Sequence, residues 1–202
     1  MISHTTRKIV TGGMFIALAI GLGYALSSFP NIELVTACVF LSGYFLGWRM
    51  GTVVGAIAMF IYSAFNPYGM PTPPLLASQI IAMAIAGLTG ALLRTPLEMA
   101  SGRNKVILLA VAGAGLTLLF DFLTTVGDVL FLSLTMQSSD HIFKIFIARV
   151  AFGIGFFVTH IVANTLIFAA LLPHFIRKLD GKILTVVENV PAAVSSTTAD
   201  EL

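Results

Sequence analysis

Six apolar runs dominate the chain, at residues 9–28, 34–48, 51–65, 76–93, 106–130 and 146–172. The hydrocarbon core of a bilayer takes about 20 apolar residues of helix, within a range of about 17 to 25. The runs at 34–48 and 51–65 are short, with little but Arg49 between them, and predict a tight helical hairpin. Those at 106–130 and 146–172 are long enough to tilt or to project beyond the bilayer. Pro30, Pro67, Pro71, Pro73, Pro74, Pro96 and Pro173 fall between or after the runs, where a helix must stop. A closed barrel would need short alternating segments, and none occur. The sequence therefore predicts an all-α integral membrane protein with six transmembrane helices.

Charge usage excludes the main soluble classes. Charged residues make up 10% of the chain, hydrophobic residues 57%, and the mean hydropathy is +0.98. A soluble domain carries about 25% charged residues to dress its surface. The net charge of +2 is too small for a nucleic-acid binder, and no basic stripe lies outside the apolar runs. Cys38 stands alone in an apolar run, so no intrachain disulfide or cysteine metal cluster is possible. No G-x-x-x-x-G-K-[ST], H-E-x-x-H or G-x-S-x-G sequence is present, so P-loop ATP binding, protease and esterase chemistry lack their residues. No enzyme activity, metal or cofactor is expected.

The basic residues set the orientation. Arg7, Lys8, Arg49, Arg94, Arg103, Lys105, Arg177, Lys178 and Lys182 fall on one side of a six-span arrangement, and only Lys144 and Arg149 on the other. The positive-inside rule makes the first side cytoplasmic, so both termini lie inside (N-in, C-in) in a multi-pass protein of the cytoplasmic membrane. The first apolar run, at 20 residues, exceeds the usual 7–15 of a signal-peptide core, which argues against cleavage near Ser28. Residues 1–182 read as one membrane domain. Residues 183–202 lose hydrophobicity, gain Ser, Thr, Pro and acid, and predict a disordered cytoplasmic tail.

Polar residues inside the apolar runs are costly unless each has a partner or a task. At about 1.5 Å of rise per residue, Asp121 lies roughly 22 Å up the fifth helix, and Arg149 roughly 5 Å below the outer surface on the sixth. Gln79 has a similar depth, Asp128 lies at the outer boundary, Asn66 and Tyr68 end the third helix, and Glu33 sits in the first external loop. Thr124 and Thr125 fall between the two acids of the fifth helix. This convergence on the outer third has three readings: a structural Asp121–Arg149 ion pair, an outward-opening ligand pocket, or an ion path. The candidate ligand-binding residues are Asp121, Arg149, Gln79, Asn66, Thr124 and Asp128. His160 and Asn164, four apart and placed in the inner half of the sixth helix, suit an interhelical hydrogen-bond pair better than ligands.

The first helix carries a different signal. Gly13, Ala17, Gly21 and Ala25 recur every four residues and form a smooth stripe along which another helix can approach closely. Spacing alone leaves open whether that helix belongs to this bundle or to a partner. A pocket with no energy source of its own suggests a subunit.

Residues 7–182 as a whole resemble the S component, the substrate-capture subunit, of energy-coupling factor vitamin transporters. The resemblance rests on six helices in about 200 residues with termini inside, on the small-residue ladder of helix 1, and on two local runs. FPNIELVTACVFLSGYFLG, Phe29 to Gly47, is similar to the loop and second helix of such subunits, and FDFLTTVGDVLF, Phe120 to Phe131, to their fifth helix. The resemblance implies capture of a vitamin-like small molecule from outside, between helices 4–6 and the external loops. It implies docking through helix 1 onto a membrane coupling subunit that carries two cytoplasmic ATPases, followed by rotation in the lipid bilayer and inward release. The family's Ala-x-x-x-Ala motif falls on Ala17, Gly21 and Ala25, with glycine in the middle. A small self-sufficient secondary transporter or channel, with Asp121 and Arg149 in an ion path, is the alternative.

Overall fold

The computed structural model describes residues 3–136 and 142–188, and helix is the only regular structure among them. The elements are α1 (His4–Ala25), α2 (Val35–Leu46), α3 (Trp48–Ala64), α4 (Pro73–Leu92), α5 (Arg94–Met99), α6 (Gly102–Met136), α7 (Ile142–Ala170) and α8 (Leu172–Glu188). Of these, α1, α4, α6 and α7 are long and apolar enough to cross a membrane, while α2 and α3 are shorter apolar helices. Each of the six predicted runs thus corresponds to one helix. Local chemistry sets their ends. Ser3 caps α1 by accepting the Thr6 N–H at 3.1 Å. Pro73 and Pro74 open α4, where a missing N–H costs nothing. Gly47 separates α2 from α3 at φ 87°, a backbone state that a side chain would resist.

The shortest of the six apolar helices lies at the centre. All 12 residues of α2 are buried, with α1, α3, α4, α7 and α8 packed around it. Lipid tails are as apolar as leucine, so close packing rather than water exclusion has to hold such helices together. Glycine provides the approach. A β-carbon on Gly43 would strike the Gly87 carbonyl, one on Gly90 the Phe40 carbonyl, and one on Gly87 the Gly51 carbonyl. Backbones of α2, α3 and α4 therefore touch along one seam. The outer surface is the reverse of a soluble protein's: Val111, Phe122, Phe152 and Leu166 are all exposed. The buried residues of α7 are His160, Asn164 and Phe168, one stripe at four-residue spacing. Phe168 meets Phe40 edge-on at 5.2 Å and closes the core beneath the two polar residues.

Two elements depart from the expected outline. A short helix, α5, links α4 to α6, buries Leu97 and carries an Arg94–Glu98 ion pair at 2.8 Å. More substantially, α8 runs on to Glu188, past the expected start of a disordered tail at 183. Leu172 and Ile176 are buried, and Leu179 and Ile183 pack partly buried against the same core, while Arg177 and Lys178 stay exposed. The segment is more polar than the six apolar runs, yet its apolar residues keep helical spacing, which suffices for a helix lying against the bundle. Residues 189–202 of the expected tail lie outside the described residues.

The seam makes a direct prediction. Gly87→Ala places a methyl group against the Gly51 carbonyl and should cost about 1–3 kcal/mol, as overpacking does. Gly13→Ala, with nothing within 4 Å of the added carbon, should leave stability undiminished or raise it by up to about 1 kcal/mol. Thermal melts in detergent compare the two; equal melting temperatures would remove the seam from the account of stability.

Candidate ligand-binding site

At about 1.5 Å per residue, α2 spans about 18 Å, far less than the hydrocarbon core. The space beyond its N-terminus is roofed by the α1–α2 loop and holds a cavity of about 460 Å³. Ligand pockets fall in that size range. Phe29, Tyr62, Tyr68 and Phe120 give it aromatic walls, Met59 and Met83 add pliable apolar surface, and Glu33, Gln79 and His160 supply polar groups. Two side chains fix the loop over it. Asn31, in the left-handed region at φ 60°, donates from Nδ2 to the Phe156 carbonyl of α7 at 2.9 Å. The Tyr68 hydroxyl donates to the Ser27 carbonyl at 3.2 Å and ties in the α3–α4 loop.

Beneath the cavity lies a buried charged cluster. Glu33 stands at the start of α2, where its Oε2 accepts the Thr36 N–H at 2.9 Å and its Oε1 accepts the Thr36 hydroxyl at 2.5 Å. A carboxylate there also meets the positive end of the helix dipole. Asn164 on α7 donates Nδ2 to the same Oε1 at 3.2 Å. The two nitrogens of His160 face two carboxylates: Nδ1 donates to Asp121 Oδ1 at 2.8 Å, and Nε2 lies 3.9 Å from Glu33 Oε1. Burial pushes the Glu33 carboxyl up, but the facing His160 imidazole and the hydrogen bonds from Thr36 outweigh it and hold the group below its ordinary value. One loop, α6 and α7 are thereby joined through three ionisable side chains.

The structure brings together only part of the predicted set. Gln79 on α4 and Asp121 and Thr124 on α6 line a second cavity of about 340 Å³ that adjoins the first. Arg149 does not meet Asp121; it pairs with Asp128 at 3.0 Å, and both side chains are substantially exposed. Asn66 serves its own turn, its Oδ1 accepting the Tyr68 N–H at 2.9 Å. Neither Asn66, Asp128 nor Arg149 lines either cavity. The Asp121–Arg149 pairing fails on register. Helix α6 ends at Met136 and α7 begins at Ile142, and reflection about that junction sets Asp128 opposite Arg149 and Asp121 opposite the turn preceding His160. The expected pairing rests on depths counted separately along each helix, which fix Asp121 and Arg149 only to within one or two turns of each other. His160 and Asn164 do hydrogen-bond between helices and segments, as their spacing suggests. Missing from the predicted site are Glu33, His160 and Asn31; the i, i+4 spacing of His160 and Asn164 opposite an intramembrane acid was the available signal.

The Glu33 shift has a definite sign. A carboxylate held below its ordinary value of about 4.3 stabilises the fold fully above that pH, and the contribution disappears as pH falls through the depressed value. The wild-type melting temperature should therefore drop steeply on acidification below about pH 4.3. Glu33→Gln should cost about 1.5–3 kcal/mol at neutral pH and flatten this acid limb. Melts of both proteins from neutral pH downward check it, and an unchanged acid limb in the variant would assign the effect to another carboxylate.

Comparison with known proteins adds the family. The family described as "ECF-type riboflavin transporter, S component" matches residues 3–172, which takes in α1 through α7 and both cavities. Nothing among curated proteins or solved structures matches the chain. That match covers most of the sequence, and its helices supply the multi-pass membrane character that the family requires. The chain belongs to the S components of ECF-type riboflavin transporters, the substrate-binding subunits of membrane transporters.

Proposed function

We propose that this subunit captures a flavin from outside the cell and passes it inward through an ATPase-driven coupling module in the cytoplasmic membrane. The observation that carries the ligand assignment is the cavity under the α1–α2 loop. Its aromatic and methionine walls suit a planar fused ring, and its polar floor suits the ring's hydrogen-bonding edge. The family's description supplies the flavin. In this reading the chain crosses the bilayer six times, the short α2 completing its crossing with the loop that roofs the cavity; both termini are cytoplasmic and that loop faces outward. Gln79, Asp121 and Thr124 serve the site directly. Asn66, Asp128 and Arg149 would act from its rim by holding the outer ends of α3, α6 and α7.

The coupling surface in this reading is the small-residue stripe of α1. Gly13, Ala17, Gly21 and Ala25 are all exposed, and β-carbons on Gly13 or Gly21 would meet nothing within 4 Å. The opposite side of the helix, with Gly12, Phe15, Ala19 and Gly23, is buried in the bundle. The stripe is therefore unused internally, and its shape admits a partner helix at close range. ATP hydrolysis would come from partners, since the chain has no P-loop. A self-sufficient channel or secondary transporter would need another ion path, because Arg149 is engaged with Asp128 rather than Asp121.

Two measurements test this. Ala17→Leu or Gly21→Leu should abolish uptake and co-purification with a membrane partner while flavin binding by the isolated subunit stays unchanged; loss of binding with intact assembly would overturn the docking role. Tyr68→Cys in a Cys38→Ala background should react with a membrane-impermeant thiol reagent applied to intact cells. Labelling only after the inner face is opened would reverse the orientation.

A further inference from the structure

The family match ends at Leu172, the residue that opens α8, so this helix lies beyond what the family accounts for. Its apolar stripe, Leu172, Ile176, Leu179 and Ile183, closes onto the core, and α8 packs against α1, α2, α6 and α7. The charges divide by sign. Asp180 is half-buried, with its Oδ1 buried, whereas Arg177, Lys178 and Lys182 are exposed. From Leu172 to Ile183, every exposed charge on the helix is therefore positive. On α5, by contrast, Arg94 is answered by Glu98 at 2.8 Å.

The border between the two faces of α8 is apolar and open. Phe175 is 44% exposed, and Leu171, one turn earlier, is exposed as well. At 3.6 residues per turn, Phe175, Lys178 and Lys182 share one flank, since they are three and four residues apart. A ring in the open with amines on the same flank suits the boundary where acyl chains meet headgroups. There the ring enters the apolar side while the amines snorkel to the phosphates. The position of the helix agrees. With 29 residues, α7 is about 43 Å long, more than the hydrocarbon core, which brings Leu171 and the start of α8 to headgroup depth.

We propose that the outer side of α8 is a binding surface for anionic phospholipid, with headgroup phosphates on Arg177 and Lys178 and acyl chains along Phe175 and Leu171. Lys182 adds charge behind them. The surface is separate from both cavities and from the α1 stripe. It rests on the reading above only for its leaflet, which the proposed orientation makes the cytoplasmic one.

The test titrates the purified full chain, in neutral detergent, with phosphatidylglycerol or phosphatidylcholine that carries a fluorescent acyl chain. Energy transfer from Trp48, the chain's one tryptophan, reports binding. A basic residue beside anionic headgroups is worth roughly fivefold in affinity, so phosphatidylglycerol should bind at least about 10-fold tighter than phosphatidylcholine. Arg177→Gln/Lys178→Gln should weaken phosphatidylglycerol about 10- to 30-fold and leave phosphatidylcholine unchanged. Arg103→Gln/Lys105→Gln removes the same charge from the start of α6 and should change neither lipid by more than about threefold. An unaltered melt shows that each variant is folded; if the α8 double variant is not, Lys178→Gln alone should lose about fivefold. Equal affinity of the wild type for the two lipids overturns the proposal, and lost co-purification with a membrane partner in the α8 variant would then give the face to a protein. Equal losses in the two double variants also overturn it, because net charge alone would then account for the binding. Displacement of phosphatidylglycerol by inorganic phosphate at the same concentration overturns the lipid assignment in favour of a soluble anion. Sidedness is read separately by the Tyr68→Cys labelling, so a reversed orientation, which overturns the leaflet, is told apart from a failure of lipid binding.

Discussion

A carboxylate withdrawn from water between helices must be given partners, and Glu33 is given them from three directions. Thr36 supplies two donors from α2, Asn164 one from α7, and His160 stands between Glu33 and Asp121 of α6. Removing any one member leaves another charge or dipole buried and uncompensated, which is far worse than never having buried it. The cluster therefore fixes relative positions: the loop before α2 cannot leave without stripping His160 and Asn164, and α6 and α7 cannot slide without parting Asp121 from His160. Cavity shape follows from that register. A polar network satisfied on most sides makes a rigid floor, and Asp121, whose Oδ2 is bare, is its member on the wall of the second cavity.

Room for the cavity comes from a shortage of helix. A 12-residue α2 cannot fill the thickness spanned by α4, α6 and α7, so the bundle must be hollow at one of its ends. Glycines at the other end make the shortage tolerable. Gly43, Gly51, Gly87 and Gly90 bring three backbones into contact and compensate in dispersion for the core that the cavity removes. Tight packing and an open site are thus two consequences of where one short helix is placed.

Much of the architecture was legible because membrane helices announce themselves by length and by proline punctuation, and each apolar run became one helix. The amphipathic α8 was less visible: Leu172, Ile176, Leu179 and Ile183 keep a helical stripe, but their segment is too polar to stand out as an apolar run. Gly51 and Gly55 on α3 keep the four-residue spacing of the α1 stripe, yet they are buried against other backbones and that stripe is exposed. Periodicity identifies a close-approach surface without saying what approaches it. The polar residues within the bundle were legible by type and illegible in their pairings. Depth counted separately along each helix placed Asp121 only to within one or two turns of Arg149, whereas reflection about the α6–α7 junction sets it opposite the turn before His160.

The two faces of α1 differ in what surrounds them. Gly23, on the buried face, lies against the Tyr62 ring and Val35 at the wall of the aromatic cavity, while Gly21 and Ala25, two residues to either side, point away from the bundle. A 3.6-residue period places such neighbours on roughly opposite sides of the helix. The helix that lines the larger cavity is thus also the one whose outer surface carries the exposed small-residue stripe. A shift of α1 caused by filling the cavity would move the outer stripe with it, since a helix transmits displacement as a rigid body over this distance. The glycines differ between the two faces: inward, Gly23 makes space for an aromatic side chain already in place, and outward, Gly13 and Gly21 leave the surface of the helix clear.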